Sequence, residues 1–241
     1  MSASKLAPST IKTYISAIAF QQKINNFPDT TKSFIIQKLL IGLSRKNPSL
    51  DIRRPITLPL LHAIIQALPH TCHSTYESIL FTSAYLLAYF GFLRVGELTV
   101  TMGTSPSRIL QANAVSIASQ TIRLFLQFSK ADQAGTGTTI VIPMDHESLI
   151  LKQALTKFLS VRPPVEGPLL CHFDNKPLTS YQFSTILTKT LQHLKIPHAA
   201  FKSHSFRIGA ATAAFIKGIP EHQIQSKGRW KSMCYKKYIR L

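Results

Sequence analysis

The sequence predicts an α+β fold that is mainly helical and contains one small antiparallel sheet. Most of the chain shows apolar residues at helical spacing, interrupted by proline and glycine. Only residues 109–143 alternate apolar and polar positions as strands do. A chain of 241 residues with 45% hydrophobic content can supply a substantial core for this fold.

The N-terminal segment predicts two helices. Pro8 offers a helix start, and the apolar residues behind it recur at i, i+3, i+4 and i+7; a second helix is expected at about 31–43. The stretch 44–55 is basic and interrupted by proline, which is typical of a linker. Two helices bury little apolar surface by themselves, so residues 1–54 are predicted to form a partial helical domain with its linker.

Residues 55–241 are predicted to form the main domain. Thr57 followed by Pro59 is typical of a helix N-cap and first turn. A long apolar segment at 75–90 predicts a buried helix. The uncharged run from Ser78 to Leu93 has 16 residues, fewer than the roughly 20 that a membrane span needs.

The predicted sheet follows this helix. Ile122, Leu124, Leu126 and Phe128 alternate with polar positions, "SKADQAGTG" supplies turn residues, and "TTIVIP" is rich in β-branched residues. Helical patterning resumes at 147–159, 179–194 and 205–217. Gly218 is expected to end the last of these helices, and Pro220 to start a short one.

The charge of the chain points to a polyanionic partner. There are 28 Lys+Arg against 10 Asp+Glu, a formal net charge of +18. Nucleic acid is favoured because each neutralised phosphate releases counterions; an anionic membrane surface or a ribosomal setting is the alternative. Three widely spaced cysteines fit neither a disulfide framework nor a zinc site, which predicts a reducing compartment, and the N-terminus lacks a signal-peptide core.

Two pairs of residues are candidates for binding an anion. Arg94 follows a very apolar helix in "FLRVGEL", and a buried cation must be paired or bind an anion; a structural pair with Glu97 is the alternative. His204 and Arg207 lie three residues apart at the start of an alanine-rich helix and share a face. Arginine suits a phosphate and histidine can move protons; the alternative is that His204 and Arg207 are ordinary surface residues, as in any H-x-x-R sequence.

Two further segments could supply reactive groups. Lys130 lies where the predicted strand turns, as a mobile acid or simply as a solvated lysine. The segment "GRWKSMCYKKYIR" contains Trp230, Tyr235 and Tyr238 among five cationic side chains. A tyrosine becomes a useful nucleophile when its proton is removed and cations stabilise the phenolate.

Five segments together resemble the tyrosine recombinase (phage integrase) family. They occur in the family's order and at about its spacing: "GFLRVGEL", "SKADQAGTG", "PLTSYQF", "HSFRIGAATAAFIKG" and "GRWKSMCYKKYIR". The tryptophan in "GRW" resembles the eukaryotic recombinases of Crypton and DIRS-type mobile elements. The resemblance implies a catalytic domain at 55–241. "LAPSTIKTYISAI" is similar to the DNA-clasping core-binding domain that precedes it, with about half of that domain's helices within residues 1–54.

The resemblance also implies roles for the phosphate-binding residues. Arg94 and Arg207 would hold the non-bridging oxygens of the scissile phosphate. Lys130 would protonate the departing 5′ oxygen, and His204 would assist proton handling. Glu97 would be a supporting acid without a chemical step of its own.

The nucleophile is assigned by spacing within the family. Trp230 occupies the place often filled by a second histidine, where its indole N–H can donate one hydrogen bond. In the family the tyrosine follows this position by roughly eight or nine residues. Tyr238 follows Trp230 by eight residues and Tyr235 by five, so Tyr238 is the expected nucleophile and Tyr235 the expected packing residue.

The implied reaction is strand cleavage and rejoining through a 3′-phosphotyrosyl link, with no metal and no cofactor. In agreement, "GTGTT" lacks the Lys-Ser/Thr ending of a phosphate-binding loop. The implied partners are double-stranded DNA and further copies of the chain in a synaptic tetramer, with no membrane. The implied setting is recombination of a mobile element in a nucleus.

Two other functions are considered. A catalytically silent DNA-binding module derived from such an element would be expected to have lost at least one of the implied catalytic residues, and all are present. A type IB topoisomerase shares the chemistry, but it would relax supercoiled DNA without strand exchange.

Overall fold

The computed structural model describes residues 6–46, 51–129, 132 and 136–240. These residues form helices around one three-stranded antiparallel sheet, which confirms the predicted α+β, mainly helical class. The helices are α1 (Pro8–Ile24), α2 (Phe34–Lys46), α3 (Leu58–Thr71), α4 (Thr75–Phe90), α5 (Val95–Leu98), α6 (Leu149–Val161), α7 (Ser180–His193), α8 (His204–Ile216) and α9 (Glu221–Lys227). The strands are β1 (Val115–Ile117), β2 (Thr121–Leu126) and β3 (Thr138–Pro143).

The chain divides into two compact units, Met1–Ile52 and Arg53–Leu241. In the first unit α1 and α2 contact each other and the 3-10 turn Thr30–Lys32. Neither of these helices has a fully buried residue, and large apolar side chains such as Phe34 stay mostly exposed. This is the burial expected of a unit whose described part has only two helices.

Helix α4 is the centre of the second unit. Its N-cap is Ser74, whose hydroxyl accepts the Glu77 N–H at 3.1 Å. Most of its residues are buried, and it packs against α3, α6 and α8. The predicted buried helix is therefore present, and no helix in the described part of the chain is long and apolar enough to cross a membrane.

The sheet has the order β1-β2-β3. Its register pairs Ile122 with Ile142 and Leu124 with Ile140, and all four side chains are buried on one face. The alternation of β2 predicted from the sequence is thereby confirmed. Lys130 falls in the segment between β2 and β3 and lies outside the described residues.

Helix α8 is held against the extended segment that enters the second unit. The Ile56 N–H donates to the Ser205 carbonyl at 3.0 Å, and the Arg54 N–H donates to the Ala200 carbonyl at 2.8 Å. A Cβ on Gly209 would lie 1.8 Å from the Ile56 carbonyl oxygen, so this close approach requires glycine. The contact fixes the helix on which His204 and Arg207 lie.

Candidate active site

Arg94 is placed by the end of the buried helix α4. Gly91 caps α4, and a Cβ there would lie 2.8 Å from the Leu87 carbonyl oxygen. Phe92 then adopts a left-handed backbone conformation with φ 49°, which turns the chain sharply before Arg94. Arg94 is the N-cap residue of α5, so the core of the unit determines where its guanidinium lies.

Glu97 binds Arg94 through both carboxylate oxygens. Oε2 accepts the Arg94 backbone N–H at 2.8 Å, and Oε1 accepts Arg94 Nη1 at 3.0 Å. Glu97 is only 4% exposed, so its charge must be compensated inside the protein. The Arg94–Glu97 pair considered from the sequence is present, and it leaves the Arg94 side chain 22% exposed.

A third arginine completes this cluster, and sequence reasoning did not single it out. Arg229 donates from Nη2 to Glu97 Oε2 at 2.6 Å and to the Phe92 carbonyl at 3.4 Å. Its side chain is 9% exposed. The expected family spacing of eight or nine residues before the tyrosine admits Arg229 as well as Trp230, since Arg229 lies nine residues before Tyr238. That spacing was the signal that could have identified it.

Arg207 is the most deeply buried cation of the site, at 1% exposure. It donates from Nη1 to the Phe92 carbonyl and from Nη2 to the Gly228 carbonyl at 2.9 Å. Its Nε has no hydrogen-bond partner among the described residues. Burial, with the nearby charges of Arg94 and Arg229, lowers the pKa of Arg207 to about 10, so it remains a cation at neutral pH.

Three side chains surround the ring of Tyr238. The Arg207 guanidinium carbon lies 5.6 Å from the ring centroid, the Trp230 ring 4.9 Å away, and the His204 ring 6.1 Å away in a stacked arrangement. Arg207 also lies over the Trp230 ring at 4.8 Å. These contacts combine a cation and two aromatic rings around one phenol.

The backbone holds Tyr238 and Trp230 in these places. Tyr238 ends the 3-10 helix Met233–Tyr238, and its carbonyl accepts the hydroxyl of Thr212 on α8 at 3.3 Å. Thr212 Oγ1 in turn accepts the Arg240 N–H at 3.0 Å. Position 228 requires glycine, because a Cβ there would overlap the Trp230 ring. Thr212 is a positioning group that the sequence pattern did not reveal.

Tyr235 lies in a separate environment. It is 2% exposed, and its hydroxyl donates a hydrogen bond to the Glu221 carboxylate. That hydrogen bond raises the pKa of Tyr235, which keeps the phenol protonated. Its ring lies 6.4 Å from Trp230. Tyr235 is therefore a packing residue that contacts Glu221 and Trp230, as expected from the sequence.

The structure thus brings together Arg94, Glu97, His204, Arg207, Trp230 and Tyr238. With Arg229, the cluster contains three arginines and one carboxylate, so two positive charges are in excess before His204 is counted. Such a cluster is suited to an anion whose charge grows during a reaction. No group of three or more His, Cys, Asp or Glu residues that could hold a metal occurs in the described ranges.

Comparison with known families identifies the chain. The model of the phage integrase family matches residues 60–240, three quarters of the sequence. The chain belongs to the phage integrase family. The resemblance inferred from the five sequence segments is therefore confirmed at the level of the family. A search of curated protein sequences finds no match.

Solved structures of tyrosine recombinases share the fold of this phage integrase family member. A Tn1549 transposon integrase in complex with a circular intermediate DNA superposes with a TM-score of 0.68 at 12% identity, covering 98% of this chain and 76% of that one. A lambda integrase dimer bound to a core site superposes at 0.61 and 17% identity, covering 97% of this chain and 59% of that one. A XerH recombinase in a post-cleavage complex superposes at 0.60 and 11% identity over 78% of this chain, which spans about half of that protein (49%).

Proposed function

We propose that this chain cleaves and rejoins DNA strands by transesterification. Tyr238 Oη attacks the scissile phosphorus, a P–O bond to tyrosine forms, and the P–O5′ bond breaks. The products are a 3′-phosphotyrosyl link and a free 5′ hydroxyl. Attack by another 5′ hydroxyl on that link reverses the step and joins a new strand, releasing the tyrosine with its proton.

One observation carries this proposal. The Tyr238 ring centroid lies 5.6 Å from the Arg207 guanidinium carbon; Arg207 is buried, donates to two backbone carbonyls and forms no salt bridge with a carboxylate of the described residues. A phenol packed against an unneutralised cation is in the environment that stabilises a phenolate and binds a phosphate beside it. His204 and Arg207 of α8 both lie against the Tyr238 ring of the C-terminal segment.

The other side chains then have defined parts in the reaction. Arg94 and Arg207 hold the non-bridging oxygens and offset the charge of the pentacoordinate transition state. Trp230 donates one hydrogen bond from its indole N–H, and His204 accepts and returns a proton near Tyr238. Lys130, which lies between β2 and β3 in the sequence, gives its proton to the departing 5′ oxygen.

The role of Lys130 has its own test. Lys130→Ala should slow cleavage of a normal phosphodiester, and a 5′-bridging phosphorothiolate should restore the rate because a thiolate leaves without protonation. If the sulfur substrate does not restore cleavage, another residue is the acid.

The proposed partner is double-stranded DNA, bound by a homo-oligomer of the chain. The net charge of +18 favours a polyanion, and the similar Tn1549 and lambda integrases were both solved with DNA, the latter as a dimer. We further propose, from the sequence resemblance alone, that the chain serves a Crypton- or DIRS-type mobile element and acts in a nucleus. Fluorescence microscopy of a tagged chain tests the location.

The decisive experiment is a search for a covalent protein–DNA adduct. Protein is incubated with a library of nicked random-sequence duplexes, and adducts are resolved on a denaturing gel. We expect an adduct with the wild type and with Tyr235→Phe, and none with Tyr238→Phe. Tyr235→Phe is the matched control because it removes one hydroxyl from the same 3-10 helix.

The other outcomes assign the alternatives. Salt-sensitive DNA binding without any adduct would identify a catalytically silent DNA-binding module. An adduct together with relaxation of supercoiled plasmid, but no exchange of strands between duplexes, would identify a topoisomerase. Loss of the adduct in Tyr235→Phe alone would move the nucleophile to Tyr235.

A further inference from the structure

Arg229 is the arginine of the site to which the reaction scheme assigns no part. Its side chain is 9% exposed, and its only ionic partner among the described residues is Glu97. Its Nε and Nη1 are buried without hydrogen-bond partners among those residues. Burial lowers its pKa, and the charge of Arg94 adds to that effect while Glu97 opposes it. A cation kept at this cost needs an explanation beyond packing.

The backbone at Arg229 is also unusual. Arg229 has φ 54°, in the left-handed region that residues other than glycine seldom adopt. Its N–H donates to the Ser226 carbonyl at 2.9 Å, so the turn that follows α9 is closed at this residue. The turn sends Arg229 toward Glu97 and the next residue, Trp230, toward Tyr238. A strained residue at such a point is typical of a functional constraint.

The hydrogen bonds of Glu97 show what Arg229 does there. Glu97 Oε2 is shared between Arg229 Nη2 at 2.6 Å and the Arg94 backbone N–H at 2.8 Å. Glu97 Oε1 receives Arg94 through Nη1. With Oε2 engaged by Arg229, the carboxylate binds the Arg94 side chain through one nitrogen rather than through the two-nitrogen fork that arginine and carboxylate otherwise prefer.

We propose that Arg229 is a positioning residue for DNA cleavage: it occupies Glu97 Oε2 and thereby keeps Arg94 from a bidentate pair with Glu97, leaving part of that guanidinium for the scissile phosphate. The proposal rests on the proposed strand-cleavage function. Arg229 also donates to the Phe92 carbonyl, to which Arg207 donates as well. It therefore links the two arginines that hold the phosphate.

The test measures single-turnover adduct formation with protein in saturating excess over a duplex that the wild type cleaves. At saturation the rate constant is that of the bound complex, so a smaller folded fraction does not lower it. Arg229→Met should reduce this rate by about 10- to 100-fold, the loss typical of a misplaced catalytic group. The dissociation constant for the same DNA should change by less than about threefold.

Two further variants distinguish a positioning role of Arg229 from a general effect on folding. Glu97→Gln combined with Arg229→Met should cleave at least about threefold faster than Arg229→Met alone, because a neutral amide no longer captures Arg94 in an ion pair. Arg162→Met is the matched control. Arg162 also donates to several backbone carbonyls, Pro163, Pro168 and Leu169, but contacts none of the site residues through those bonds. Its adduct rate should equal that of the wild type.

The outcomes are distinct. Wild-type protein that forms no adduct overturns the proposed function, and this inference with it. Wild-type cleavage with an Arg229→Met rate within threefold overturns the inference alone. A double variant no faster than Arg229→Met, or an equal loss in Arg162→Met, also overturns it, since the effect would then not pass through Glu97.

Discussion

The anchoring of the C-terminal segment by Thr212 gives a prediction about catalysis. Thr212→Val replaces the hydroxyl with a methyl group of similar size and removes the two hydrogen bonds of Thr212, to the Tyr238 carbonyl and from the Arg240 N–H. We expect slower formation of the covalent adduct with little change in DNA affinity, because the nucleophile is held less firmly over the phosphate.

The size of the effect follows from the two bonds. A buried neutral hydrogen bond contributes about 1 kcal/mol net, and the longer one, from Thr212 to the Tyr238 carbonyl at 3.3 Å, contributes less. Losing both hydrogen bonds weakens the contact between Thr212 and the C-terminal segment by about 1.5 kcal/mol. If the full loss appears in the activation free energy of cleavage, adduct formation should slow by roughly tenfold, since about 1.4 kcal/mol is a factor of ten.

The control is a threonine of similar burial away from the tail. Thr190 on α7 donates to the Ile186 carbonyl at 2.8 Å and contacts the Thr71 hydroxyl at 3.0 Å. Thr190→Val should lower the free energy of unfolding in urea and leave the single-turnover rate unchanged. A Thr212→Val rate within twofold of the wild type, or an equal slowing in Thr190→Val, would refute the reasoning.

Three other properties are open to direct measurement. Inorganic phosphate at about ten times its dissociation constant should stabilise the folded protein by about 1.4 kcal/mol. Relative to chloride at equal ionic strength, the thermal midpoint should rise by about 3–5 °C; an equal rise in Arg207→Met would contradict the assigned anion site. Gly209→Ala should lower the free energy of unfolding by about 2 kcal/mol or more, because the new Cβ would overlap the Ile56 carbonyl. Gly96→Ala is the control: a Cβ built at Gly96 meets no neighbouring group within 4 Å, so this variant should change the free energy of unfolding little in the same urea titration. The Tyr235–Glu221 hydrogen bond raises the pKa of Tyr235 above 10.0 and lowers that of Glu221 below 4.5, so its stabilisation is complete between those values and is lost at higher and at lower pH. The stability difference between wild type and Tyr235→Phe should therefore shrink at pH 3 and pH 11, and a difference independent of pH would exclude this coupling.

Local elements were predictable because local forces decide them. The apolar segment at 75–90 is α4 at the same residues, and Thr57 caps α3 by accepting the Leu60 N–H. The alternation along β2 gives its buried face directly. In each case the residues that form the sequence pattern are the same residues that form the helix, cap or strand, so the sequence alone is enough to predict the element.

The contacts that assemble the site could not be predicted in this way. Glu97 and Arg229 are 132 residues apart, and Thr212 and Tyr238 are 26 apart. Helical spacing does reveal that Arg94 and Glu97 share a turn, but nothing in that spacing shows that Glu97 has a second arginine partner. Which distant charges meet depends on how α4, α8 and α9 pack, and that is decided by the whole core.

Arg207 shows how the site relates to the stability of the fold. Its guanidinium is buried against the Tyr238 and Trp230 rings, with backbone carbonyls as its hydrogen-bond partners and two further arginines nearby. Burial and those like charges disfavour the charged form, so keeping Arg207 protonated lowers the stability of the folded state. In the proposed reaction, a phosphodiester bound in the cluster supplies a compensating negative charge. As the transition state forms, the added charge increases, and the interaction with Arg207 strengthens further. In this proposal, the electrostatic cost of burying Arg207 in the free protein is offset most fully in the transition state, where the negative charge is largest. An interaction that is stronger in the transition state than in the ground state accelerates the reaction.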